Sequence, residues 1–228
     1  MKISIHQPNF MPWGGFFNKI SASDVFVILD DVKCSKNSFF NRNKFSSGDS
    51  SFWLTIPLSK ASYSKNIVDV CASDTRWIDK HIRYFELEHR KTSENKIIET
   101  IIERYNDFKL SDIKNICDFN IFLIQDFIEF LNIDVKVIRS SNMNIDKDVK
   151  KSDRVIEIVK KAGGTSYISG EGAKSYQDEK DFFDNEIELR YTTFNAHDKM
   201  IVNGDIVSAI DYVLREGRCQ MMKCLTLR

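Results

Sequence analysis

The chain has 228 residues, with 33 basic and 33 acidic side chains and therefore no net formal charge. A neutral chain has no general attraction for polyanions, which argues against a nucleic-acid module and leaves a local basic cleft for any bound phosphate. No apolar run approaches the length of a membrane span and no signal peptide is recognisable, so we expect a soluble cytoplasmic protein.

The N-terminal part of the chain is typical of a strand–helix–strand unit. Residues 3–5 form a short predicted strand, and apolar residues spaced three and four apart predict a helix that begins near Pro12. Residues 25–29 are a continuous apolar run, which is typical of a buried parallel strand. Two more strands are expected at 52–57 and 67–70.

The remaining sequence predicts a helical block followed by a return to α/β alternation. Apolar stripes at helical spacing run from about residue 75 to 131. Further strands are predicted at 135–138, 166–169 and 187–191, with a helix after Ser152 and a last helix starting at Asp205. We therefore predict one domain over residues 1–228, with a Rossmann-like, mostly parallel sheet and a helical insertion or subdomain at about 75–131.

The first candidate site follows the first strand. His6 stands at its carboxyl end, the edge at which open α/β sheets bind ligands, and a histidine there can act as a general base. Gly14 and Gly15 at the following helix start would allow an anion to approach. The alternative is a histidine that is satisfied within the core beside a proline turn.

Two further loops carry polar side chains at the same edge. Asp30 and Asp31 end the second strand, and paired carboxylates can hold Mg²⁺ or share a proton. Lys36 and Arg42 suit phosphate or carboxylate. The turn after residue 169 carries Lys174 and could cradle phosphate, although it does not match a Walker A loop. A solvated loop and an ordinary tight turn are the alternatives for the two segments.

Other reactive residue types give weaker signals. Cys34 could be a thiol nucleophile, but a free cysteine is more often a small packed residue. His81 and His89 fit satisfied or surface positions on a helix, and His197 lies in a polar loop beside an aspartate. The five scattered cysteines suit reduced thiols, and no metal site is predicted.

The most distinctive segments of the chain are HQPNFMPWGGFFNKI at 6–20, SDVFVILDDV at 23–32, Lys36 and Asn41-Arg42-Asn43. In these segments, and over essentially the whole chain, the sequence resembles the WbqC-like family. Weaker motifs are Trp77, Lys80-His81, Ser140-Ser141, Tyr167-Ile168-Ser169-Gly170, Gly172-Ala173-Lys174, Tyr176, Ile210-Asp211 and Glu216-Gly217. The chain departs from the family pattern at Cys34, where an aromatic residue is usual. It also departs around residues 195–197, where a Tyr-x-Gln segment is missing.

The resemblance implies a function in bacterial surface polysaccharide synthesis, often of O-antigen in lipopolysaccharide. It suggests an N-acyltransferase or aminoacyltransferase, for example for glycyl groups, that acts on the amino group of a nucleotide-linked amino sugar. No cofactor is certain; an acyl- or aminoacyl-carrier protein thioester is one candidate donor, and a homodimer stays open. The implied site residues are His6, Gln7, Asp30, Asp31, Lys36, Asn41, Arg42, Asn43, Ser169, Gly170 and Lys174.

These residues suggest roles in such a transfer. His6 would be the base, oriented by Asp30 or Asp31, while Gln7 or Asn41 would donate to the oxyanion. Lys36, Arg42 and Lys174 would hold the diphosphate of the sugar nucleotide. The catalytic set is thus His6, Asp30 and Asp31, and the others bind substrate.

Two competing functions remain open. The strand, His-x-Pro turn and acid-ended strand resemble ATP-dependent nucleotidyl-transfer folds, but Trp13-Gly14-Gly15 stands where their second histidine would be. A non-catalytic protein that binds a sugar nucleotide or a carrier protein is the second alternative.

Overall fold

The computed structural model describes residues 1–88, 90, 92–146, 148–149, 151–175 and 177–225. In chain order the strands are β1 (Lys2–His6), β2 (Val25–Ile28), β3 (Arg42–Ser47), β4 (Ser50–Thr55), β5 (Lys136–Arg139), β6 (Ser166–Gly170), β7 (Glu188–Thr192), β8 (Ile201–Val202) and β9 (Asp205–Ile206). The helices are α1 (Gly14–Ser21), α2 (Arg76–Glu88), α3 (Asn95–Leu110), α4 (Ile116–Phe130), α5 (Lys151–Lys161), α6 (Glu179–Asp184), α7 (Ala209–Glu216) and α8 (Arg218–Cys224).

Five parallel strands form the central sheet in the order β5-β2-β1-β6-β7. The chain moves outward from β1 through β2 to β5, and then returns to the other side of β1 to add β6 and β7. This is the strand order of a Rossmann-like fold, with its topological switch point between β1 and β6. The predicted fold class is therefore confirmed.

Helices cover both faces of this sheet because its strands alternate their side chains between two apolar cores. Ile3 and Ile5 of β1 belong to the smaller core, which also contains residues of α5 and α6. Phe26 of β2 faces the larger core, together with Phe16 and Phe17 of α1 and residues of α2, α3, α4 and α7. His6 therefore lies on the α1 side of the sheet, where its ring contacts Phe16.

A β-hairpin and three helices lie between β2 and β5. Strands β3 and β4 pair in antiparallel fashion in a sheet of their own, and helices α2, α3 and α4 follow. The helices fall within the block predicted at 75–131. No helix in the described ranges is long and apolar enough to cross a membrane.

Two local predictions are wrong for identifiable reasons. Residues 67–70 are not a strand, because Ile67 and Val70 are buried at a spacing of three residues, and Ile67–Asp69 form a 3₁₀ turn. Asp205 does not start the last helix. Asn203 and Gly204 adopt positive φ angles of 50° and 80°, as in a type I′ turn, and close the β8–β9 hairpin.

The predicted helix corresponds to α7, which is capped by Ser208. The hydroxyl oxygen of Ser208 accepts a hydrogen bond from the backbone N–H of Ile210 at 3.2 Å. Helix α7 ends before Gly217, which has a φ of 87°, and the additional helix α8 follows directly. Helix α8 was not predicted from the sequence.

Candidate functional site

The central sheet opens at the carboxyl end of β1. On one side, β1 pairs with β2 from Ile3 to His6. On the other side, its pairing with β6 covers only Lys2, Ile3 and Ser4. Beyond Ser4 the two strands therefore separate, and the gap is a crevice at the topological switch point, where Rossmann-like folds bind ligands. We call it the switch crevice.

His6 stands at this crevice as a neutral imidazole with a defined tautomer. Its Nδ1 lies 3.0 Å from the backbone carbonyl oxygen of Gln7. A carbonyl oxygen can only accept, so Nδ1 carries the proton. Among the described residues none donates a hydrogen bond to Nε2, whose lone pair can therefore accept a proton. Burial, and to a smaller extent the nearby charge of Lys19, lower the pKa of His6 from 6.5 to about 3, against the opposing effect of the hydrogen bond to Gln7.

Lys19 brings a buried amine to the same crevice. Helix α1 directs its side chain toward β1, where Nζ donates to the carbonyl oxygen of Ile5 at 2.9 Å. Ile5 lies just beyond the last residue of β1 that pairs with β6. Lys19 is 7% exposed, and among the described residues no carboxylate forms an ion pair with it. Burial accordingly lowers its pKa from 10.5 to about 7.

Helix α1 also connects the crevice to the end of β7. The side chain of Asn18 is fully buried, and its Nδ2 donates to the carbonyl oxygen of Thr193 at 3.1 Å. Sequence reasoning missed both Asn18 and Lys19. Polar residues in a helix usually face solvent, whereas nearly all of α1 is buried. One feature of the sequence could have identified Lys19: it is a lysine in a short helix directly after the His-Gln-Pro turn.

The lowered pKa of Lys19 predicts a pH-dependent stability. Between pH 7 and 10.5 the unfolded chain binds the Lys19 proton and the folded protein does not, so the free energy of unfolding rises with pH. This contribution is up to about 1.4 kcal/mol per pH unit. We expect Lys19→Met to remove it, as measured by urea denaturation at pH 7, 8 and 9. Lys180→Met, at an exposed position, should keep the wild-type slope, and an equal slope in both variants would contradict the assignment.

Asp30 and Asp31 form a network that joins the ends of β2 and β5. Asp30 is fully buried and accepts from Arg139 Nε at 2.6 Å and from the backbone N–H and hydroxyl of Ser141, each at 2.9 Å. Asp31 accepts from Ser140 Oγ at 2.6 Å and from an Arg154 guanidinium nitrogen at 2.5 Å. The expected orientation of His6 by these aspartates is corrected: the group bonded to its Nδ1 is the Gln7 carbonyl.

Asn41 and Asn43 also bond inside the protein. Asn41 Nδ2 donates to the carbonyl oxygen of Ile56 at 2.8 Å, and Asn43 Nδ2 donates to that of Met11 at 2.6 Å. Both side chains are buried. Asn41 therefore holds the two ends of the hairpin together and is not placed as the expected oxyanion donor, while Asn43 holds the hairpin against the loop after β1.

The expected cationic residues lie on two sides of the crevice. Lys36 and Arg42 belong to the hairpin side, where they lie over aromatic rings. Lys174 follows β6, with Nζ 5.6 Å from the centre of the Tyr191 ring. Lys36 and Arg42 thus share the hairpin side, whereas Lys174 lies beyond the end of β6.

Ser169 and Gly170 end β6 directly across the crevice from β1. The hydroxyl of Ser169 donates to Gln177 Oε1 at 2.9 Å, and a side chain added at Gly170 would meet no atom within 4 Å. The space above the strand is thus open. The turn that follows carries Glu171, whose carboxylate accepts from the Thr193 hydroxyl at 2.7 Å, so it is less suited to phosphate than its glycines suggest.

The other reactive residues are accounted for by packing. Cys34 is buried, and burial raises the pKa of its thiol. His81 is also buried and its Nδ1 lies 3.0 Å from the Tyr105 hydroxyl, so it is a satisfied core residue as expected. His197 accepts from the backbone N–H of Lys199 at 3.2 Å.

His89 and Tyr176 lie outside the described residues. Within the described ranges, no three histidine, cysteine or acidic side chains form a group that could hold a metal ion.

The strand order and the switch crevice define a Rossmann-like α/β protein. The model of the WbqC-like protein family matches residues 7–222, and the chain belongs to this family, which confirms the resemblance. A protein of Mycobacterium tuberculosis described as uncharacterized protein Rv1507c is 27% identical over 196 residues, which are 85% of this chain and 82% of that protein. No solved structure matches the chain.

Proposed function

We propose that this protein transfers an acyl or aminoacyl group, such as glycyl, to the amino group of a nucleotide-linked amino sugar in surface polysaccharide synthesis. One observation carries the proposal. A neutral His6, with Nδ1 fixed by Gln7 and Nε2 free, stands beside the buried amine of Lys19 in the switch crevice. The family resemblance adds the polysaccharide setting.

The geometry suits the proton transfer that such a reaction needs. The amino nitrogen of the sugar attacks the carbonyl carbon of a thioester donor, and the new C–N bond leaves that nitrogen positively charged and strongly acidic. The neutral His6 can then accept the proton through Nε2, although it is a weak base. The C–S bond breaks, and the proton passes from His6 to the departing thiolate.

In its protonated form, which exists at and below its lowered pKa of about 7, Lys19 supplies a cation at the same place. The tetrahedral intermediate carries a negative oxygen, and an ammonium in a site shielded from water stabilises such an oxygen more than it would in bulk solvent. Lys19 Nζ donates to the Ile5 carbonyl oxygen, and an ammonium has two further N–H donors for the oxyanion. The backbone of β1 thus holds the lysine in position.

Mass spectrometry of the reaction products tests the proposal. The purified protein is incubated without ATP with nucleotide-linked 3-amino and 4-amino sugars, each with glycyl- or acyl-carrier protein thioesters. We expect a mass gain on the sugar amine that requires the protein. No gain with any donor, together with pyrophosphate release when ATP is added, would contradict acyl transfer and indicate nucleotidyl transfer.

A further inference from the structure

An exposed aromatic face lies on the β3–β4 hairpin beside the switch crevice. Trp53 is 38% exposed and Phe39 is 47% exposed, with ring centroids 5.9 Å apart. The Arg42 guanidinium lies 4.3 Å from the centre of the Trp53 ring, and Lys44 Nζ lies 5.0 Å from it. Arg42 Nη2 also donates to the carbonyl oxygen of Asn37 at 3.3 Å, which brings the neighbouring Lys36 to this surface, and Lys36 Nζ lies 5.7 Å from the centre of the Tyr63 ring. We call this surface the hairpin face.

The segment that carries the hairpin face is strongly positive in a chain that is neutral as a whole. Residues 32–65 contain six cationic side chains and one acidic side chain: Lys33, Lys36, Arg42, Lys44, Lys60 and Lys65, against Asp49. Lys44 is neutralised by Asp205 at 2.7 Å. Within the described residues, neither Lys36 nor Arg42 forms an ion pair with a carboxylate, so both can bind an added anion.

The hairpin face is within reach of the switch crevice. The backbone N–H of Phe10 donates to the carbonyl oxygen of Phe39 at 2.8 Å, which joins the face to the loop after β1. Phe10 is four residues from His6, a distance of at most about 14 Å along an extended chain. One elongated ligand can therefore contact both places.

The geometry points to the hairpin face as the subsite for a nucleoside diphosphate, with the base stacked on Trp53 and Phe39 and the diphosphate bound by Arg42 and Lys36. Bases stack on aromatic side chains irrespective of their hydrogen-bonding edges, and guanidinium groups bind phosphate in bidentate fashion. That the attached amino sugar extends to His6 rests on the proposed function; the binding of the nucleotide does not.

The turn after β6 is the competing location for the diphosphate. Lys174 is available there, but Glu171 adds a negative charge at the crevice end of the turn. The hairpin face combines two unpaired cations with two exposed rings, so its charge and its shape both suit a nucleotide.

Calorimetric titration with UDP and dTDP, in the absence of any acyl donor, tests this subsite. We expect wild-type protein to bind at least one of them, and Trp53→Ala to lower the affinity about tenfold or more. Arg42→Ala should lower the affinity and reduce its dependence on salt. Phe183→Ala, which removes an aromatic ring that is 81% exposed on α6, should leave the affinity unchanged.

The outcomes separate this inference from the proposed function. Failure of both nucleotides to bind, equal affinity for pyrophosphate and UDP, or loss of binding in Lys174→Ala but not in Trp53→Ala would each overturn the subsite. Circular dichroism of the Trp53 variant checks that it is folded. Nucleotide binding without any sugar acylation would leave the subsite intact and contradict the transferase. Acylation by Trp53→Ala with an unchanged KM for the sugar nucleotide would support the transferase and contradict the subsite.

Discussion

Replacing His6 with alanine is expected to lower the rate of sugar acylation about 10²- to 10⁴-fold, the usual contribution of general base catalysis. His6 Nε2 is the free proton acceptor in the switch crevice, since Nδ1 already donates to the Gln7 carbonyl. The substitution therefore removes the general base that the proposed reaction assigns to the attacking amine. The measurement is the initial rate of product formation by mass spectrometry at saturating sugar nucleotide.

The loss should affect catalysis and leave the fold intact. His6 is only half-buried, and its ring meets Phe16 edge-on, so alanine removes one contact at the rim of a large core. His197→Ala is the matched control, because His197 is exposed in the loop after β7 and should keep the wild-type rate. A His6→Ala protein with a normal melting temperature and near-normal turnover would exclude His6 as the base.

Asp30→Ala is expected to destabilise the protein by about 3–5 kcal/mol, the usual effect of removing one partner of a buried ion pair. Asp30 is fully buried and binds Arg139 and Ser141 in the network that joins β2 to β5. Its loss would leave Nε of Arg139 and the backbone N–H of Ser141 without their acceptor. Urea denaturation of wild type and variant at the same pH measures the change.

Asp118 provides a control that tests the effect of burial directly. Asp118 pairs with the same arginine, through Nη1 of Arg139 at 2.7 Å, but the Asp118 side chain is 45% exposed. Asp118→Ala should therefore cost at most about 1 kcal/mol, as exposed ion pairs do. Equal and small effects of the Asp30 and Asp118 substitutions would show that the buried network does not hold the two strand ends together.

The sequence was sufficient to predict the sheet and the polar residues at its carboxyl edge. The apolar run at 25–29 and the strand before His6 correspond to β2 and β1, because buried parallel strands leave a continuous apolar pattern. The acidic residues after β2 were correctly placed at the carboxyl edge. Their partners could not be predicted, because Arg139 and Ser141 are more than 100 residues away in sequence.

The residues missed at the site have one physical cause. Lys19 belongs to a helix that is buried on nearly all sides. A lysine is normally expected at an exposed position, whereas this lysine is buried. The exposed position of Trp53 could not be predicted either, because an aromatic residue in a strand is normally expected to lie in the core. Both environments arise from tertiary packing, which local periodicity does not report.

The most direct test of the switch crevice is the imidazole ¹⁵N NMR spectrum of the four histidines as the nucleotide-linked amino sugar is added, with the His6 signals assigned from a His6→Gln variant. If the sugar amine binds at Nε2, the His6 Nε2 resonance should shift at saturation while the buried His81 resonances stay in place. Saturable binding that leaves the His6 resonances unchanged would contradict the placement of the reaction at this histidine.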